Sequence, residues 1–218
     1  MKHIAGTAIL HTGLPRALPD VSPQLRRRLQ EYIKLLREWK AVTNLISKEG
    51  LEDVWTRHIA DCLQLIGLAP NARRWLDIGA GAGFPSVVIA CHLAEFSNTQ
   101  IHAVESDGRK CVFLREVARN LHLPLRIYNR RAESLSPDEI WPLDALTARA
   151  FATLSKTLQV AGPFLNQGAI GLFPRGKTAM SELDSINNGC YSCECVPNSS
   201  NGGGVIFVIQ RRKSANPL

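Results

Sequence analysis

Hydrophobic positions follow two rhythms along this chain. Leu25, Leu29, Tyr32, Leu36 and Trp39 recur every three or four residues. That spacing lays one apolar stripe along a helix. Ser22-Pro23 supplies an N-cap and a first-turn proline, so the helix should begin there. A second helix is expected from about Leu51 to Ile66, after a break at Gly50. Within it Arg57 and Asp61 stand i,i+4, a spacing at which they can pair. From Arg73 onward, short apolar runs alternate with longer periodic segments. The runs predict strands at 74–78, 100–105, 124–129, 143–148, 168–173, 190–196 and 204–210. Helices fit at 85–95, 108–121, 152–165 and 177–187. Such alternation gives an α/β fold, a parallel sheet with helices on both faces. Only Pro197 and an Asn/Ser/Gly run separate the last two strands. They read as a hairpin, so the seven-stranded, mostly parallel sheet should end with one antiparallel strand. The expected organisation is a flexible N-terminus over 1–21, a helical extension over 22–70 and the main domain over 71–218.

The stretch from Arg74 to Pro85 reads R-W-L-D-I-G-A-G-A-G-F-P. An apolar strand runs into glycines at 79, 81 and 83, and Pro85 then opens a helix. Glycine permits a sharp turn with positive φ and lets main-chain N–H groups approach a ligand. The dinucleotide fingerprint is G-x-G-x-x-G with an acid about 20 residues on. Here the pattern is G-x-G-x-G, one residue tighter, with Asp77 inside the preceding strand. It resembles the Rossmann-like turn of S-adenosylmethionine (SAM) methyltransferases. The second strand ends on Glu105. A carboxylate there can accept both hydroxyls of an adenosine ribose. The plainer reading is a structural glycine turn with an incidental Glu. Strand, turn, helix, strand and acid all fall in order, which favours the cofactor.

Charge sharpens the picture. The chain has 218 residues and a net charge of +7, which favours an anionic partner. Ligands of open α/β sheets bind outside the carboxyl ends of the strands. At those corners stand Arg109 and Lys110, Arg130 and Arg131, Arg149, and Arg175 with Lys177. Arginine's planar fork suits phosphate. Arg26, Arg27 and Arg28 add a basic face on the first helix, read either as solvated or as gripping RNA phosphates. Phe151 is read either as a stacking surface for a base or as core. Cys62, Cys91 and Cys111 lie in apolar helical patterns and should be buried. Cys190, Cys193 and Cys195 read as ordinary strand residues rather than as a zinc site, since no fourth ligand lies nearby. No apolar run approaches the roughly 20 residues that span a bilayer. The N-terminus lacks a signal peptide's apolar core. A cytoplasmic monomer is expected.

The fourth-strand corner also narrows the chemistry. Methylation of a pyrimidine at C5 needs a cysteine there, and Thr147-Ala148-Arg149-Ala150-Phe151 has none. The polar-Pro-Pro-aromatic sequence of amino-group methyltransferases is absent as well. A ring nitrogen such as guanine N7 carries its own lone pair. It needs the methyl held in line, which is catalysis by proximity and orientation. No acid/base residue is then required, and Arg149 would orient the reactants.

The motifs resemble the 16S ribosomal RNA guanine-N7 methyltransferases, the RsmG or glucose-inhibited division protein B family. The matching stretches are Asn44-Leu45-Ile46-Ser47, Arg57-His58-Ile59-Ala60-Asp61, the glycine turn, and Glu105-Ser106-Asp107-Gly108-Arg109-Lys110. Arg131-Ala132-Glu133, Ala148-Arg149-Ala150-Phe151 and Pro174-Arg175-Gly176-Lys177 complete them. The resemblance implies SAM held by Gly79, Phe84, Ala132, Glu133 and Arg149, with Glu105 near the ribose and Gly81 and Gly83 in the same turn. It implies that the basic corners touch 16S rRNA or the small ribosomal subunit. Ser86 stands where the family usually has glycine, Phe84 where Leu is common, and Glu105 where Asp is commoner. The hairpin from Gly189 on diverges. Two other readings stay open. One is a SAM-dependent enzyme for another RNA or a small molecule, against which the +7 charge and basic helix argue. The other is an RNA-binding protein without catalysis, against which the intact glycine turn and Glu105 argue.

Overall fold

The structure is a computed structural model that describes residues 21–40, 42–176, 179, 181–182, 189–198 and 204–212. The expected loose segment, apart from Val21, lies outside these residues. So do Lys177 and most of the helix expected over 177–187.

The sheet is built from β1 (Arg74–Ile78), β2 (Gln100–Glu105), β3 (Leu125–Asn129), β4 (Ala145–Thr147), β5 (Ile170–Arg175), β6 (Tyr191–Pro197) and β7 (Val205–Arg211). Its order is β3-β2-β1-β4-β5-β7-β6. All neighbouring pairs among β1 to β5 are parallel, and β7 runs antiparallel to both β5 and β6. The antiparallel strand is thus inserted between β5 and β6, and β6 forms the edge. Trp75, Leu76 and Ile78 are buried, as a central strand covered on both faces requires. The sheet reverses direction of winding between β1 and β4, which opens a crevice at their carboxyl ends.

Among the described residues six α-helices accompany it: α1 (Pro23–Lys40), α2 (Lys48–Glu52), α3 (Ala60–Leu68), α4 (Ser86–Leu93), α5 (Gly108–Asn120) and α6 (Leu154–Asn166). The stripe of α1 buries Leu25, Leu29, Tyr32, Ile33 and Leu36. These side chains share one core with Val87 and Ile89 of α4 and Phe113 of α5. Tyr32 also donates its hydroxyl to the Ala82 carbonyl in the glycine turn, at 2.7 Å. Cys62, Cys91 and Cys111 are buried. Among the described residues, no helix is long and apolar enough to cross a membrane.

Two expectations about local structure need correction. The single helix over Leu51–Ile66 is instead α2, a π-helical turn over Val54–Ile59, and α3. Gly50 does not break this run but lies inside α2, whose N-cap Ser47 accepts its N–H at 3.0 Å. A Cβ at Gly50 would meet Ile46 at 2.9 Å and the His58 ring at 3.1 Å, so glycine is required there by close approach. The expected 168–173 strand extends to Arg175, because Pro174 and Arg175 pair with Ile206 and Val205 of β7. An antiparallel neighbour thus carries the strand past its proline.

Candidate active site

The glycine turn is fastened to β2 before it reaches any ligand. Gly79 and Ala80 donate their N–H groups to the Val104 carbonyl at 2.9 and 3.0 Å. Glu105, the last residue of β2, is buried and accepts the Gly81 N–H at 2.9 Å on one oxygen. Its other oxygen accepts the Asp107 N–H at 2.8 Å, which fixes the start of α5. An ionised carboxylate has about four lone-pair sites, so Glu105 keeps acceptor capacity for two hydroxyls.

All three glycines have positive φ, 74° at Gly79, 58° at Gly81 and 100° at Gly83. They do different work. A Cβ at Gly81 would meet only the Gly79 carbonyl, at 3.9 Å, so the space before it is open. A Cβ at Gly79 would meet the Phe151 ring at 2.8 Å. At Gly83 it would strike Val87 and Leu114. Gly83 permits the packing of α4 against α5 and is not part of the cavity wall.

That cavity measures about 530 Å³ and sits at the β1/β4 crevice. This is within the size range of small-molecule sites. Gly79, Gly81, Phe84, Glu105, Ala132, Glu133 and Arg149 line it, with Lys110 and Arg130 of the basic corners and Phe151. The corner after β4 is strained: Ala150 has a φ of 52° between Arg149 and Phe151. Such strain in a non-glycine residue recurs at functional sites. It sends the two side chains apart. The Phe151 ring packs on Gly79, while Arg149 Nη2 reaches Asp61 Oδ2 at 3.7 Å.

Several basic positions lie elsewhere. Arg175 is a strand residue, not a corner; its guanidinium donates to the Ala152 carbonyl and to Thr157 Oγ1. Arg109 is exposed and outside the cavity wall. Arg26 and Arg27 are exposed on α1, whereas Arg28 is half-buried and paired with Glu95 at 3.1 Å. Arg28 therefore sits at the end of α4 remote from the glycine turn. Arg130 pairs with Glu139 at 2.6 Å and stacks over Tyr128. Arg57 and Asp61, which their spacing would allow to pair, each approach another charged residue. Arg57 lies near Asp53, at 4.0 Å, and Asp61 near Arg149, at 3.7 Å.

Sequence reading missed part of the wall. His58 lies across Phe84 with ring centroids 4.9 Å apart, and Lys156 faces Glu133 at 3.9 Å. Both line the cavity, as do Ile46 and Ala150. Burial pushes the His58 imidazole down to about 4, aided by the positive charges of Arg149 and Arg57. It is therefore neutral near pH 7. Behind the turn, Asp77 is fully buried and accepts the Ser86 N–H at 3.1 Å. Burial pushes its carboxyl up to about 6.

Residues 25–204 match the family of rRNA small subunit methyltransferase G. This chain belongs to that family. A small subunit methyltransferase G of Bradyrhizobium diazoefficiens is 45% identical over 166 residues, covering 76% of this chain and 64% of its own. One from Brucella ovis is 42% identical over 206 residues, covering 93% of this chain and 96% of its own. Among solved structures, cofactor-bound Rv0187 from MTB has a TM-score of 0.59 at 13% identity, over 90% of this chain and 93% of that one. M. jannaschii TYW2 in complex with AdoMet has a TM-score of 0.51 at 14% identity, over 71% and 76%. At these identities the solved structures show the shared fold. Membership of the methyltransferase G family rests on the sequence matches.

Proposed function

We propose that this chain transfers the methyl group of SAM to N7 of a guanine in 16S rRNA, working in the cytoplasm on the rRNA or the small subunit. One observation carries the reading. The glycine turn, Glu105 and the Arg149–Phe151 corner line a single cavity in a chain of the methyltransferase G family. The residues fit the cofactor: Gly81 leaves open the space that a side chain would fill. When bound, SAM supplies a methyl group activated on a sulfonium.

The chain's own residues bind and orient. Gly79 and Gly81 bring backbone close to the ligand. Glu105 holds the turn and offers its remaining lone pairs to the ribose hydroxyls. Arg149 cannot lose its proton in a protein, so it orients an anion and takes no part as a base. Glu133 is paired with Lys156, and neutral His58 is stacked, its buried Nδ1 having no hydrogen-bond partner among the described residues. The reaction at N7 asks no proton of them, since that nitrogen presents a lone pair. Lys110 and Arg130 at the rim supply positive charge for the RNA backbone.

The test is to incubate the protein with labelled SAM and small subunits lacking the modification, and separately with free 16S rRNA. The label should map to one guanine, at N7. Label on another RNA class, or none on either substrate while SAM is still consumed, would replace the proposal with the small-molecule or other-RNA reading.

A further inference from the structure

Asp61 lies on α3, outside the sheet, yet it meets the corner of the fourth strand. Its Oδ2 is 3.7 Å from Arg149 Nη2, with side chains 9% and 22% exposed. At that distance the contact is charge attraction rather than a direct hydrogen bond. Poor access to water leaves it less screened than a surface pair. Arg149 also lines the cavity, so Asp61 touches the site through one side chain. A π-helical turn over Val54–Ile59 runs directly into α3, which carries Asp61. Arg57 of that turn lies beside Asp53, at 4.0 Å. The same turn seats His58 on Phe84.

We infer that Asp61 is a positioning residue, holding the Arg149 guanidinium in the orientation from which it grips an anionic group of the reactants. The inference rests on the reading that Arg149 faces the cofactor or the RNA. An arginine has a long side chain and many rotamers, and fixing one before binding lowers the ordering cost at the site. The helical extension is then part of the methyl-transfer machinery through this pair.

The full-length protein serves for the test. Steady-state transfer to undermethylated small subunits gives kcat and KM for SAM, and thermal melts report the fold. Asp61→Asn removes the charge without changing shape. It should lower kcat/KM roughly tenfold, within the range measured for coupled neighbours. Its melting temperature should stay within about 3 °C of the parent. Asp61→Glu keeps the charge and should recover most of the loss. In an Arg149→Lys background, where the planar fork is gone, Asp61→Asn should cost less than about twofold. An undiminished tenfold loss in that background would overturn the inference. So would a loss that follows the melting temperature and is not recovered by Asp61→Glu, which would mark the pair as a staple between elements. If Arg149→Lys and Arg149→Ala both turn over normally, the reading of Arg149 itself fails. If they fail and Asp61→Asn works normally, only the positioning role falls. Should Asp61→Asn not fold, Asp61→Ser decides: a roughly tenfold loss with an intact melt supports the role, and unchanged kinetics overturn it.

Discussion

Gly81 and Gly83 are two residues apart and fail differently when changed. Gly81 faces open cavity, so Gly81→Arg should abolish binding of SAM and S-adenosylhomocysteine while the chain still folds. Gly83→Ala puts a methyl group into Val87 and Leu114 and should lower stability by about 1–3 kcal/mol, as overpacking does. Calorimetry and urea unfolding separate the two. His58 gives a prediction in pH. Its folded pKa is about 4, below the ordinary 6.5, so the unfolded chain takes up the proton more readily. The stability it lends is whole above pH 6.5 and is lost as pH falls toward 4. The gap in melting temperature between the parent and His58→Asn should therefore shrink from pH 7 to pH 5. A constant gap would mean that His58 does not change charge on unfolding in that window. At this scale the residues of the turn were legible in sequence, because strand, glycines and acid are local. The partner of Asp61 was not. Its i,i+4 reading assumed a regular α-helix through a stretch that holds a π-helical turn.

Among the elements, α1 carries a basic face on which Arg26, Arg27 and Arg28 are not equivalent. Arg26 and Arg27 are exposed, and Arg28 is tied to Glu95 and the Cys91 carbonyl. If this face grips phosphates, Arg26→Ala with Arg27→Ala should reduce the salt slope of RNA binding by up to about two, near one per lost contact. Arg28→Ala should leave the slope nearly unchanged. Filter binding across a salt series measures this, and a slope untouched by all three changes would return the face to solvent. The strands were legible to within a few residues from their apolar runs. β5 starts and ends two residues later than expected, because pairing with β7 depends on a neighbour far away in sequence. That shift is also why Arg175, placed by sequence at a corner, has its guanidinium turned inward onto Ala152 and Thr157.

Across the whole molecule, sequence spacing separated an extension from a main domain. The structure gives α1 and the sheet's helices a common core. An amphipathic stripe shows that a helix buries one face, but not against what. Tyr32 is the clearest joint. Its buried hydroxyl has a pKa pushed well above the usual value by burial, so it stays a donor to Ala82. Tyr32→Phe leaves that carbonyl without its buried partner and should cost about 1–3 kcal/mol in urea unfolding. It should also weaken cofactor binding, since Ala82 belongs to the turn. Equal binding by Tyr32→Phe would uncouple the helix from the site.

The Tyr32–Ala82 bond makes cofactor occupancy audible at a distance. A ligand that binds only the ordered turn shifts every local opening that would break the turn, by mass action. Openings of α1 that release Tyr32 are among them. Amide hydrogens midway along α1, which lie outside the cavity wall, should therefore exchange more slowly once S-adenosylhomocysteine is bound. The basic face on that helix would then be presented more rigidly by the loaded enzyme than by the empty one, so that cofactor and RNA favour each other's binding across the thickness of a helix.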